Sequence, residues 1–228
     1  ERSLVTRAAR LLKETASVTR GASVNVEKRI PLASGLGGES SDAAATLRGL
    51  NELWELKLSR EKLRELAARL GSDVTFFLHG GTALMEGRGE RITPLPPYPH
   101  RWAVLVVPDV PRPPDKTAQL YASLNASHFT DGHITQRLVD ELKSGKEPSV
   151  LFNTFENVAF EQFPGLKVYR DHLRKMGAPD VHLAGSGPTL FALLKDKAQA
   201  EDLHARCLGQ NMEAHLAETF HGGYPPTG

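Results

Sequence analysis

The sequence predicts an α+β protein in two domains, on three observations. Helical and strand-like patterns are interspersed without the strand–helix–strand rhythm of a doubly wound parallel sheet. Pro94, Pro96, Pro97 and Pro99 form a cluster that can continue neither a helix nor a central strand. The 228 residues, 40% of them hydrophobic, suffice for one large core or two modest ones. The proline cluster sets the expected boundary, giving domains over residues 1–97 and 98–228.

In chain order, Leu4, Val5, Ala8, Leu11 and Leu12 recur at helical spacing. Gly21 breaks that pattern, and Val24, Val26, Lys28 and Ile30 alternate with polar residues as in a half-buried strand. Ala43 to Trp54 reads as a helix, and Ser59 caps another whose stripe is Leu63, Leu66, Ala67 and Leu70. Val74 to Leu78 and Thr82 to Met85 read as strands around a His79-Gly80-Gly81 turn, with a further turn at Gly87 and Gly89. Trp102 to Val107 is a continuous apolar run, the pattern of a strand buried on both faces. Helices are expected at Ala118 to Leu124, Ile134 to Lys143, Leu166 to Met176 and Lys197 to Leu208. Later strands are expected at Val181 to Leu183, Thr189 to Leu194 and Glu213 to Thr219, and Gly222 to Gly228 reads as a frayed tail.

Composition narrows the function classes. The 28 basic and 27 acidic residues nearly cancel, so the broad basic footprint of a nucleic-acid binder is lacking and no nucleic-acid partner is expected. No apolar run approaches the length of a membrane span, and no signal-peptide pattern opens the chain, so a cytoplasmic protein without a membrane partner is expected. The single cysteine, Cys207, reads as a core thiol in a reducing compartment. The nine histidines form no zinc-ligand spacing, so no protein-held metal site is expected.

The most informative stretch is Pro31-Leu-Ala-Ser-Gly-Leu-Gly-Gly-Glu-Ser-Ser-Asp-Ala-Ala-Ala45, between an expected strand and an expected helix. Gly35, Gly37 and Gly38 allow main-chain N–H groups to approach a ligand without a β-carbon in the way. Ser40 or Ser41 is the expected helix cap and offers a hydroxyl to a phosphate or a magnesium ion. The helix start adds unpaired donors and partial positive charge, the physical basis for holding phosphate. The string is neither a Walker P-loop, which needs Gly-Lys-Ser/Thr, nor a dinucleotide fingerprint.

This string resembles the phosphate loop of the GHMP kinases, named for galactokinase, homoserine kinase, mevalonate kinase and phosphomevalonate kinase. The run from Lys28-Arg-Ile-Pro31 to Ala44, with Leu50-Asn51 and Leu53-Trp54 after it, resembles the branch acting on a cytidylated alcohol. The resemblance implies an N-terminal α+β domain like ribosomal protein S5 domain 2 and a C-terminal α+β sandwich. It implies ATP with Mg2+, a small-molecule cytidylated substrate, and ATP contacts from Lys28, Pro31, Ser34, Gly35, Leu36, Gly37, Gly38, Ser40 and Ser41. Lys28 reads equally as an exposed strand lysine. Glu39 stands where this branch commonly has glycine, so its carboxylate either points into solvent or approaches the magnesium ion.

A second string, Leu70-Gly-Ser-Asp-Val-Thr-Phe-Phe-Leu-His-Gly-Gly81, resembles the segment carrying the family's catalytic carboxylate. By that resemblance Asp73 is the base that accepts the hydroxyl proton, and Thr75 replaces a usual proline. A third string, Ala184-Gly-Ser-Gly-Pro-Thr189, resembles the loop that packs beside the phosphate loop, which makes Gly185, Ser186 and Gly187 ligand contacts. Within Pro113 to Tyr121, Thr117 and Tyr121 keep the spacing of a threonine and an aromatic that stacks on cytosine. Tyr121 reads equally as a tyrosine packing one helix on its neighbour. Asn153 and Glu156 fit a family pattern and also a helix start.

The chain starts without methionine inside an amphipathic stretch, so upstream sequence is expected. A segment like Pro-Ala-Lys-Ile-Asn, which in relatives places a lysine beside the aspartate, is not among these residues, nor is the tyrosine–histidine region that recognises cytosine. Neither Lys13 nor Lys28 is assigned the catalytic lysine's role. The remaining readings are another GHMP kinase, acting on mevalonate, homoserine or a sugar, and a nucleotide-binding fragment without catalysis. Both a monomer and a homodimer fit the sequence.

Overall fold

The computed structural model describes residues 3–113 and 115–220, so the Gly222 to Gly228 tail lies outside the described residues. The chain divides into two compact units. Of the described residues, one comprises 3–32 and 37–95, and the other 33–36, 96–113 and 115–220.

The first unit is largely helical. α1 (Leu4–Thr15), α2 (Gly38–Leu53), α3 (Arg60–Leu70) and α4 (Ser72–His79) precede a hairpin of β1 (Ala83–Glu86) and β2 (Arg91–Pro94). Its core is Leu12 from α1, Ala43, Ala44, Leu47 and Leu50 from α2, Leu63, Leu66 and Ala67 from α3, and Val74 from α4. In α1 and α3 these are residues of the stripes that the helical periodicity marked out. The Ser59 hydroxyl accepts from the Lys62 N–H at 3.2 Å, capping α3 as expected. Ser59→Ala should cost about 1 kcal/mol in chemical denaturation, whereas an unchanged midpoint would show that water serves that N–H equally well.

Two strand expectations are corrected here. Residues 18–29 have no regular secondary structure and join no ladder, because no described strand offers them N–H and C=O partners. The segment is fastened by side chains instead: the Arg20 guanidinium donates to the Trp54 carbonyl, and the Trp54 indole N–H donates to the Gly21 carbonyl at 3.4 Å. Val74 to Leu78, rich in β-branched and aromatic residues, lies in α4. Burial of Val74 and Thr75 in a helical layer overrides strand propensity, a preference worth only about 1 kcal/mol across its whole scale. The alternation also missed β2, four residues long with only Ile92 half-buried.

The second unit is built on a four-stranded antiparallel sheet ordered β4 (His182–Leu183), β5 (Leu190–Leu194), β3 (Trp102–Val107), β6 (Glu213–Glu218). β3 is an interior strand, as its uninterrupted apolar run predicts. Val104 pairs with Ala192 and Leu216, and Val106 with Leu190 and Ala214, so these residues share one face. That face belongs to a core with Leu166 and Leu173 of α8 (Leu166–Lys175) and Leu203 and Cys207 of α9 (Lys197–Gly209). Burial pushes the Cys207 thiol up, against a smaller opposing effect of Arg206, which fits a packing thiol rather than a nucleophile. α5 (Lys116–Ser123), α6 (His133–Lys143) and α7 (Glu156–Gln162) complete the unit. Of these, α7 was signalled only by the helix start expected at Asn153 and Glu156, because seven residues are too few to show a periodicity.

Candidate active site

The glycine-rich segment is pinned from both ends. Gly37 caps α2 in the left-handed region, at φ 72°, and contributes no capping side chain. The first helical bond runs from the Ser41 N–H to the Gly37 carbonyl at 2.9 Å, leaving the N–H groups of Gly38, Glu39 and Ser40 without acceptors in the helix. Neither serine caps α2, contrary to expectation; the Ser41 hydroxyl donates back to the Gly38 carbonyl at 2.8 Å. A side chain at Gly37 would enter the Phe77 ring, 2.8 Å from its Cβ position, so glycine is required there by both conformation and space. The result is a helix start whose donors and positive dipole end are open to an anion. Glu39 is exposed in the first turn, and the Lys28 ammonium pairs with the Asp42 carboxylate on the same helix.

Residues 33–36 belong with the second unit and knit into the third glycine string. The Ser34 carbonyl accepts from the Thr189 N–H at 3.1 Å, and its side chain is buried and accepts weakly from the Leu36 N–H at 3.4 Å. Ser34 therefore serves the loop's own structure. A Cβ at Gly35 (φ 87°) would lie 2.2 Å from the Ala184 carbonyl oxygen and 2.8 Å from the Gly187 nitrogen. The two glycine strings thus meet backbone to backbone. Ala184 to Gly187 closes as a turn, with the Gly187 N–H donating to the Ala184 carbonyl at 2.8 Å. Asn153 secures that turn from outside, donating to the Leu183 and Gly185 carbonyls at 2.9 and 2.8 Å, while Glu156 accepts from the Leu183 N–H at 2.7 Å. Those two side chains support the loop.

Asp73 is exposed in the first turn of α4, and its carboxylate makes no hydrogen bond or ion pair with a described residue. Its position is fixed through Ser72, whose hydroxyl donates to the Arg88 carbonyl in the hairpin turn. A Cβ at Gly89 in that turn would lie 2.7 Å from the Ser72 Cβ. Thr75 is fully buried within an unbroken α4. The carboxylate is therefore held by its helix and left free to accept a proton.

On α5, Thr117 and Tyr121 are four residues apart and share a face. The Thr117 hydroxyl lies 2.9 Å from the Ser186 hydroxyl. The Tyr121 ring packs edge-on to Phe155, with centroids 4.9 Å apart, yet remains 63% exposed. A cleft of about 590 Å³ is lined by Tyr121, Phe129, Phe152, Asn153, Phe155 and Gly185, so exposed aromatic faces end at the glycine turn. Such a combination suits a flat ring carrying an anionic tail. One residue at this turn escaped the sequence reading: Lys116 is 6% exposed, and its ammonium donates to the Ser186 hydroxyl at 2.8 Å. A lysine in a polar, proline-rich stretch gives no sign of burial. Among the described residues no group of three or more His, Cys, Asp or Glu could hold a metal ion, and no helix is long and apolar enough to cross a membrane.

Comparison with known proteins places the chain in a family. The profile of the GHMP kinases N terminal domain matches residues 3–81, and that of the GHMP kinases C terminal domain matches residues 138–214. A 4-diphosphocytidyl-2-C-methyl-D-erythritol kinase of Dehalococcoides mccartyi is 50% identical over 221 residues, covering 96% of this chain and 78% of the relative. A crystal structure of 4-(cytidine 5'-diphospho)-2C-methyl-D-erythritol kinase superposes with a TM-score of 0.80 at 34% identity, covering 97% of this chain and 79% of that one. A homoserine kinase from Cytophaga hutchinsonii reaches a TM-score of 0.75 at 20% identity, with coverage of 97% and 76%, and shares the fold. The chain belongs to the GHMP kinases, and within them to the family of 4-diphosphocytidyl-2-C-methyl-D-erythritol kinases.

Proposed function

We propose that this protein transfers the γ-phosphate of ATP to the 2-hydroxyl of 4-diphosphocytidyl-2-C-methyl-D-erythritol, giving the 2-phosphate and ADP. The reaction is a step of the non-mevalonate route to isoprenoid precursors, carried out in the cytoplasm. The observation that carries the reading is the 50% identity, over 96% of the chain, to a relative of that name. The open start of α2 supports it, with three main-chain donors free for phosphate.

In this reading Asp73 accepts the proton of the acceptor hydroxyl as its oxygen bonds to the γ-phosphorus and the bond to the β-phosphate oxygen breaks. The glycine-rich segment, through Pro31, Gly35, Leu36, Gly37, Gly38, Ser40 and Ser41, binds ATP, with Lys28 towards its base and Ser34 holding the loop's shape. Catalysis rests on positioning and charge stabilisation. Magnesium enters with the triphosphate, since this ion favours phosphate and water oxygens over an all-protein cage. The Ser41 hydroxyl donates its proton to the Gly38 carbonyl and keeps lone pairs for a cation, so it fits as a protein ligand to that ion. When bound, magnesium neutralises charge on the β- and γ-phosphates.

Thr117 and the Gly185, Ser186 and Gly187 turn hold the acceptor, and Tyr121 stacks on its cytosine. Tyr121→Ala should raise KM for the acceptor on the order of 10-fold, with KM for ATP nearly unchanged and Tyr121→Phe close to wild type. Equal changes in both KM values would instead mark Tyr121 as a packing residue. The whole reading is tested by identifying the product: a phosphate monoester at the 2-position, formed together with ADP, supports it. Recovery of unmodified acceptor beside intact ATP would overturn it.

A further inference from the structure

Lys116 is a buried cation without a counter-charge among the described residues. Its ammonium has three donors; one goes to the Ser186 hydroxyl at 2.8 Å and another, more weakly, to the Ser186 carbonyl at 3.4 Å. No carboxylate among the described residues pairs with it. The neighbouring Asp115 accepts instead from the Gln119 side chain at 2.8 Å. The charged group that acts on Lys116 is another cation, Arg112, and burial first and Arg112 second push the Lys116 pKa down. An ammonium held this way is expensive in the free protein and becomes favourable once an anion arrives.

The surroundings indicate which anion. Ser186 lies in the turn whose exposed Gly185 closes the aromatic cleft. Thr117, next to Lys116, touches the same Ser186 hydroxyl, and Tyr121 lies one turn further along α5, a rise of about 6 Å. A pyrimidine stacked at Tyr121 would therefore lead its phosphates towards Ser186 and Lys116. We propose that the Lys116 ammonium binds the diphosphate of the cytidylated acceptor, with Ser186 holding it in position. The inference rests on the acceptor assigned above and adds the residue that recognises its charge.

The test is calorimetric titration of the protein with cytidine 5′-diphosphate and, separately, with cytidine. Lys116→Met should weaken the diphosphate on the order of 10-fold or more, leave cytidine within about two-fold, and be partly rescued by Lys116→Arg. Unchanged diphosphate affinity overturns the proposal, as does parallel weakening of both ligands, the signature of a lysine that merely clamps the loop. Should Lys116→Met fail to fold, the wild-type pH profile decides. A bound anion favours the charged ammonium, so diphosphate affinity should fall as pH rises towards the range in which an ordinary lysine loses its proton, setting in ahead of it because burial and Arg112 lower the Lys116 pKa, with cytidine unaffected. A flat diphosphate profile across that range overturns the proposal. A wild-type protein that binds neither ligand overturns the acceptor assignment itself, whereas one that binds both and ignores Lys116→Met overturns only the role of the lysine.

Discussion

Asp73→Asn is expected to keep nucleotide binding while turnover falls on the order of 10²-fold or more. Asparagine preserves the shape of the side chain on the first turn of α4 and removes its capacity to take a proton. The backbone there is held independently of the carboxylate, by burial of Val74 and Thr75 and by the Ser72 hydroxyl on the Arg88 carbonyl. Asp73 itself bonds to no described side chain, so the substitution breaks no structural contact. Single-turnover rates alongside calorimetric ATP affinity separate the two effects. Turnover equal to wild type would remove Asp73 from the mechanism.

Gly35→Ala is the second large effect. Its Cβ would have to occupy space 2.2 Å from the Ala184 carbonyl oxygen and 2.8 Å from the Gly187 nitrogen, both backbone atoms that cannot rotate aside. The left-handed φ of 87° adds its own strain to any residue with a side chain. Together these should cost about 2–5 kcal/mol, lowering the thermal midpoint by roughly 5–15 °C and weakening ATP through the displaced loop. Gly49→Ala is the natural control: Gly49 lies within α2 with nothing within 4 Å of its Cβ position. That change should be neutral or stabilising by up to about 1 kcal/mol. Equal melting behaviour in the two variants would show that the contact between the glycine strings carries no strain.

Where burial follows a helical or apolar pattern, the sequence was enough. The stripe of α3, the Ser59 cap and the interior strand β3 each announce themselves through spacing and through residues with one dominant physical role. Val24 to Ile30 shows the limit: alternation says which side chains could face a core, but a strand also needs a neighbour to accept its hydrogen bonds. Val74 to Leu78 shows another, since packing against helices decides the backbone of a short apolar run.

At the candidate site the glycine strings were legible because glycine marks places where backbones approach closely, as at Gly35 and Gly37. Their mutual contact was legible only by resemblance, because about 150 residues separate them and nothing local encodes that pairing. Ser34 illustrates the converse: it was expected to contact ATP, and its buried hydroxyl and its carbonyl are turned to the loop. Lys116 stayed hidden because lysine defaults to the surface, and only the tertiary structure reveals a buried one.

The most direct test of the central claim is magnesium-dependent ADP release with 4-diphosphocytidyl-2-C-methyl-D-erythritol offered beside mevalonate, homoserine and galactose. Release with the cytidylated alcohol alone is the expected result; release with one of the other three and none with the cytidylated alcohol would contradict it.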